Sequence, residues 1–311
     1  MNSIAMAQAV QNACKPKFHG QNTLKSKVVT RYPHNLEREY TRITNAYMAL
    51  LNKTLAEHLP TIRRAIDAER ANMRQDEAFD VFDVTTQTFV RIQSAFERRA
   101  ASFGLERRIT NLSNMARRVS VREWRRVVRN TLGINILEDY YMGEFFRGAL
   151  RQWVTSNIDL IKSVPRSTLN NMQNIVQDGF LSGKSNTAIG NALQEAYGIS
   201  RRKAQFWARD QVASLNSDLT QQQHKDAGVD EYTWSDSDDK RVREDHKNLN
   251  GKRCKWSDPT VYYDERATAW VPRRTDMVKK HPGKDYNCRC VGLPRFNLPE
   301  LSLPWEGGEQ S

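Results

Sequence analysis

From Leu36 to Gly228 apolar residues return at helical spacing, and beyond Gly228 they do not. This change of rhythm confines the chain to a long helical region followed by something smaller and irregular. Leu36, Tyr40, Ile43, Tyr47 and Leu50, then Leu55, Leu59, Ile62 and Ile66, share one helical face, and Pro60 between them predicts two helices or one kinked helix. Further amphipathic helices are predicted over 85–133, with Ser120 and Glu123 spaced as a capping box and Gly133 as a stop. Residues 136–161 carry a broad face (Tyr140, Tyr141, Phe145, Phe146, Trp153, Leu160, Ile161) suited to a helix packed on two sides, before Val164–Pro165 predicts a break. Helices at 166–180 and 186–197 follow, punctuated by Ser182–Gly183 and Gly198, and then a longer one from Arg201 to about Ala227 with Ser200 as N-cap.

After Gly228 the punctuation thickens: Gly251, Pro259, Pro272, Pro282 and Gly283 recur among frequent Trp and Tyr, so a small, partly β domain is expected from Val229. Residues 1–35, with Gly20 and Pro33 among polar residues and no apolar period, predict a flexible arm; 297–311, with Pro299, Pro304, Gly307 and Gly308, predict a flexible tail. Between them lie an amphipathic Arg-rich region (36–163), a helical connector (164–228) and a compact α+β domain (229–296). The expected fold class is a mainly α N-terminal region followed by a small α+β C-terminal domain. A chain of 311 residues has room for two such units.

Forty-eight Lys and Arg against 36 Asp and Glu give a formal charge of +12, which favours polyanionic partners and equally serves solubility. No uncharged apolar run approaches the ~20 residues that span a bilayer, and no charged segment leads into an apolar one at the start, so no membrane partner and no export are expected. Cys14, Cys254, Cys288 and Cys290 are too few and too unevenly placed for a disulfide scaffold, which fits a reducing cytoplasm.

The basic charge concentrates in 91–129, where eleven arginines (Arg91, Arg98, Arg99, Arg107, Arg108, Arg117, Arg118, Arg122, Arg125, Arg126, Arg129) face three glutamates (Glu97, Glu106, Glu123), a local balance of +8. Guanidinium forks bind phosphate oxygens in pairs, so such helices can track a nucleic-acid backbone without reading bases; an acidic protein surface or plain solvent would serve as well.

Two segments near the C-terminus are more specific. Tyr232-Thr-Trp234 precedes Asp239, Arg241, Arg243, His246, Leu249 and Gly251, and His281-Pro282-Gly283 leads to Asn287-Cys288-Arg289-Cys290. In order and spacing they resemble the domain shared by phage head-morphogenesis proteins of the Mu F-like type, whose pattern is Y-x-W, D-x-R-x-R-x-x-H-x-x-L-[DN]-G, H-P-G and N-C-R-C. Arg201-Arg-Lys-Ala204 and Ala208-Arg209-Asp210 look like that family's leading helix, so the resemblance covers roughly 180–296. It implies a minor capsid protein at the portal vertex of the virion head, made in the host cytoplasm. Its partners would be the portal protein, capsid or scaffold proteins and double-stranded DNA, and its role binding rather than catalysis.

Independently of any family, Cys288 and Cys290 fall on one face of an extended segment, and His246 and His281 would complete a tetrahedral zinc site of two sulfurs and two nitrogens. Core packing is the plainer reading of these residues, and of Cys254, Trp234, Trp256 and Trp270. Arg241, Arg243 and Arg289 are expected to pair with carboxylates such as Asp239, or to present a phosphate-binding edge. His246 beside Asp245, then His281 and Asn287, also resembles loosely a metal-dependent His-Asn-His nuclease, although order and spacing fit it poorly. A regulator is the third class, without a helix-turn-helix or finger signature to support it.

Overall fold

A computed structural model describes residues 3–72, 81–238 and 240–309. Its helices are α1 (Ser3–Cys14), α2 (His34–Asn72), α3 (Val81–Phe103), α4 (Leu105–Leu132), α5 (Glu138–Met142), α6 (Arg147–Leu181), α7 (Asn186–Asp226) and the short α8 (Glu244–Lys247). Six strands, β1 (Thr23–Lys25), β2 (Glu231–Ser235), β3 (Arg253–Lys255), β4 (Val261–Asp264), β5 (Ala269–Pro272) and β6 (Val291–Asn297), form an antiparallel sheet in the order β1-β6-β2-β3-β4-β5. The class is therefore mainly α followed by α+β. No helix among the described residues is long and apolar enough to cross a membrane.

Two compact units emerge, each assembled from separated stretches: Met1–Glu37 with Ser113–Trp153 and Arg209–Ser311, and Arg38–Leu112 with Val154–Ala208. The sequential division into arm, helices, connector, domain and tail does not describe this packing. In the all-helical unit Tyr40 donates from its buried hydroxyl to Asn157 Oδ1 (2.7 Å), and Ile43, Leu51, Ile92, Ile109, Leu169 and Val176 are buried.

Several expected breaks are absent. Helix α2 runs through Pro60 and α6 through Pro165. An interior proline costs about 3 kcal/mol. Burial of Val164, Thr168 and Leu169 around Pro165, and of Leu55, Ile62 and Ile66 around Pro60, opposes that cost. Likewise α7 continues through Gly198 and Ser200, because one interior glycine costs only ~1 kcal/mol, while Leu193, Ala196, Ala204 and Ala208 are all buried. The Ser120–Glu123 capping box is also missing, both residues lying inside α4: Ser120 Oγ sits 3.2 Å from Gln223 Oε1, and Glu123 pairs with Arg126 at 2.7 Å. Over 136–161 the single helix is replaced by α5, a turn and the start of α6. Tyr140, Tyr141, Phe145 and Phe146 pack there ring to ring, with both tyrosine hydroxyls 2.8 Å from the Asp226 carboxylate.

Both chain ends depart from the flexible expectation. Val10, Cys14 and Phe18 are buried, β1 pairs with β6 (Leu24 opposite Phe296), and Gln11 donates to the carbonyl of Leu301. In the tail Leu301 and Leu303 are buried and Trp305 bridges Ile136. The tail also fixes the stop after α7: Gly228 has φ +72°, and a Cβ there would run into the backbone carbonyl of Glu300. Only glycine meets both demands.

Candidate metal centre and its arginine cleft

The site is assembled on β2. Tyr232 and Trp234, two residues apart, point to the same face and are both buried. The Leu249–Gly251 turn is stitched to β2 by Gly251 N–H donating to Trp234 O (2.9 Å) and Trp234 N–H donating to Lys252 O (2.9 Å), and Leu249 is fully buried. This fixes α8, and with it His246. The opposite wall is the loop before β6, docked on α7 where Ser217 Oγ donates to Pro282 O (2.6 Å). Gly283, at φ +81°, lies so close to α7 that a Cβ would stand 2.9 Å from the Ala213 carbonyl oxygen and from Ser217 Cβ. Asn287 adopts φ +51° and donates its backbone N–H to Asp210 Oδ1 (3.3 Å).

These constraints bring His246, Cys288 and Cys290 together, all buried, with His246 Nδ1 3.4 Å from Cys290 Sγ and 3.5 Å from Cys288 Sγ. Cys288 Sγ also accepts the backbone N–H groups of Gly283 (3.3 Å) and Cys290 (3.4 Å). A hydrogen bond from the Cys290 thiol, opposed by burial and aided by His246, holds Cys288 well below the ordinary thiol range; the same bond, with burial, pushes Cys290 up. Burial disfavours the charged form of His246, but Cys288 and Asp285 outweigh it and raise its pKa. The buried indole N–H of Trp234 favours a charged sulfur at Cys290 but does not offset the rise caused by Cys288 and burial.

On its other side His246 Nε2 is 3.3 Å from Asp285 Oδ2, which is also held by Arg243 (2.5 Å) and, through Oδ1, by Lys280 (2.8 Å). Arg243 further donates to the Tyr286 carbonyl at 2.9 Å and lies 2.9 Å from His246 Nε2. A cleft of about 100 Å³ opens on this cluster, lined by all three sulfur and imidazole residues together with Arg209, Arg241, Arg243 and Arg289.

Residues 170–293 match the family described as Phage Mu protein F like protein. The cluster and most of its supports therefore fall inside the Mu F-like region. A relative described as an uncharacterized protein, from Haemophilus influenzae (strain ATCC 51907 / DSM 11121 / KW20 / Rd), is 26% identical over 233 residues, covering 75% of this chain and 48% of its own length. The chain thus spans about half the length of that relative. No solved structure gives a significant match.

Within the Mu F-like region the expected ligand set is divided. His281 is not in the cluster: its Nδ1 lies 3.2 Å from the Tyr232 hydroxyl and its ring 5.0 Å from that of Trp256, and burial with the nearby Arg273 charge lowers its pKa to about 4. Spacing could not separate the two histidines, because contacts distant in sequence set their places: the stitching of the Leu249–Gly251 turn to β2 for His246, and the docking of the 282–283 turn on α7 beside His281. His246 and His281 therefore have different neighbours, contrary to a His-Asn-His arrangement. Cys254 is a fully buried core thiol, while Trp270 is only half-buried, its ring 5.6 Å from that of Tyr263 with Arg253 at 5.5 Å. Asp239 lies outside the described residues.

The carboxylate partners were not visible in the sequence either. Arg289 reaches both oxygens of Glu37 at 3.4 Å, and Arg209 donates to the same carboxylate at 3.0 Å. Burial would raise the Glu37 pKa, but the Arg209 hydrogen bond, Arg289 and Tyr32 bring it below the usual range. Arg273, unremarked in the sequence, is buried and donates to the carbonyls of Val278 (2.7 Å), Lys280 (2.9 Å) and Val261 (3.2 Å), with its guanidinium 5.5 Å from the Trp234 ring centre. No motif flags it, since most of its partners are main-chain atoms, the Tyr232 hydroxyl at 3.4 Å being a side chain.

The arginines of 91–129 divide between the units. Arg98, Arg99, Arg107 and Arg108 belong to the all-helical unit, and Arg117, Arg118, Arg122, Arg125, Arg126 and Arg129 to the sheet-bearing one. Arg99 bonds Thr54 and Glu57, Arg108 the Phe103 carbonyl, Arg117 the Met142 carbonyl and Arg126 the Val29 carbonyl, so these four have structural roles. Arg118, Arg122, Arg125 and Arg129 form an exposed stripe along one face of α4.

Proposed function

We propose that this chain is a minor head protein of a tailed bacteriophage, incorporated at the portal vertex during procapsid assembly. Its partners are then the portal protein and capsid or scaffold proteins, with double-stranded DNA contacted during packaging or ejection. The observation that carries the reading is the match of residues 170–293 to the Phage Mu protein F like family, in which the motif side chains build a buried centre and its supports. A binding role is favoured over nuclease chemistry because His246 faces two sulfurs while His281 faces Tyr232 and Trp256. A shared reacting atom between those histidines has no support in that geometry.

The DNA contact rests on the α4 stripe, four exposed arginines that can meet phosphates without reading bases. The test is co-purification of the tagged full chain with the portal protein of its own phage or prophage, at low and moderate salt. Salt-resistant capture, and presence of the chain in purified heads, is the expected result. A chain that ignores the portal and is absent from heads, yet retains or cuts DNA, would overturn the reading.

A further inference from the structure

We propose that His246 Nδ1, Cys288 Sγ and Cys290 Sγ bind one zinc ion, with the fourth coordination position open to the arginine-lined cleft. Zinc bonds of about 2.3 Å to sulfur and 2.05 Å to nitrogen, at tetrahedral angles, separate a ligating nitrogen from a ligating sulfur by roughly 3.6 Å. The two such edges here are 3.4 and 3.5 Å. Both nitrogen–sulfur edges are thus close to their tetrahedral length without side-chain movement, and the three donor atoms all lie within 4.8 Å of one another.

The surroundings fit a metal rather than three packed side chains. Cys288 Sγ accepts the backbone N–H groups of Gly283 and Cys290, an arrangement suited to the electron-rich sulfur of a metal-bound thiolate. His246 turns its second nitrogen toward Asp285 (3.3 Å) and Arg243 (2.9 Å), and in the ring tautomer that donates to the carboxylate Nδ1 is free to ligate. Two sulfurs and one imidazole select zinc over magnesium or calcium, which take oxygen ligands. Among the described residues the cluster offers these three side chains, and all three line the cleft, which is large enough for a water or a small anion. Arg209, Arg241, Arg243 and Arg289 on its walls favour a negatively charged fourth ligand. The proposal is independent of the portal reading.

The full chain would be purified under reducing conditions without chelator, its metal content measured by mass spectrometry, and the metal then replaced by cobalt(II). About one zinc per chain is expected, together with the intense visible bands of four-coordinate cobalt and sulfur-to-cobalt charge transfer. C288S with C290S, or H246A, should lose the metal, whereas H281N and C254S should keep it. D285N should weaken zinc affinity roughly 10- to 100-fold. Wild-type chain that carries no metal, shows both thiols free and gives no cobalt spectrum would overturn the site whether or not the variants fold. Zinc lost from H281N but kept in H246A would overturn the ligand set.

Discussion

The arginines on the outer face of α4 and those of the sheet-bearing domain bring the same charge into opposite surroundings. Arg118, Arg122, Arg125 and Arg129 recur at steps of four, three and four residues, all exposed, and of their contacts only the Arg125–Glu138 pair is an ion pair seen among the described residues. Arg273 and Arg289 instead reach into a domain built largely of loops, where Arg273 gathers three backbone carbonyls and Arg289 meets Glu37. A helix satisfies its own backbone, so its surface arginines are available for partners. A loop-rich domain has carbonyls without strand or helix partners, and a guanidinium with five donors can serve several at once.

The sharpest way to break that contrast is Arg273→Met, which removes the donor from buried carbonyls while keeping most of the volume. A loss on the order of 4 kcal/mol is expected in chemical denaturation. A variant with unchanged stability would show that the carbonyls need no such partner. Next in size is the histidine beside this arginine. His281 titrates near 4 when folded and near 6.5 when unfolded, so the unfolded chain binds more protons between those values. Its contribution, on the order of 3 kcal/mol, is present above pH 6.5 and is lost as pH falls toward 4. H281N should flatten this part of a stability-against-pH curve, and an equally steep curve in the variant would assign the slope elsewhere.

Gly283→Ala tests the docking of the loop on α7. The added methyl meets Ala213 O and Ser217 Cβ at 2.9 Å in a backbone conformation that favours glycine, and a loss of about 2 kcal/mol is expected from thermal melts. The smallest stability effect belongs to the helix stripe. Changing Arg118, Arg122 and Arg129 together to Gln should alter stability by no more than about 0.5 kcal/mol per site, while flattening the salt dependence of DNA retention by up to about three phosphate contacts. A filter-binding slope identical to that of the unchanged chain would remove DNA as the partner of this face.

Legibility in the sequence followed the range of the forces involved. Gly133, Gly183 and Gly228 were readable as stops because each takes a left-handed backbone, a local requirement. Pro60, Pro165 and Gly198 misled because their local cost is outweighed by buried faces on either side, which depend on neighbours distant in the chain. The motif residues announced a centre, and His246, Cys288 and Cys290 do meet. That His281 would instead turn toward Tyr232 depends on contacts with Ser217 and Ala213, more than sixty residues earlier. Strand β1 left no trace at all: three residues with one half-buried position have no period to detect.

That short strand has a consequence for how the chain comes to be folded. Thr23 pairs with Asn297 and Lys25 with Arg295, so the earlier strand waits on the ribosome for a partner synthesised about 270 residues later. At about 5–20 residues per second the wait is on the order of 15–50 seconds. Through that interval Val10, Cys14 and Phe18 have no finished core to enter. The sheet-bearing unit therefore closes only after β6 has been made, and the brevity of β1, with Lys25 at its end, keeps the waiting segment a poor template for pairing with a neighbour's nascent strand.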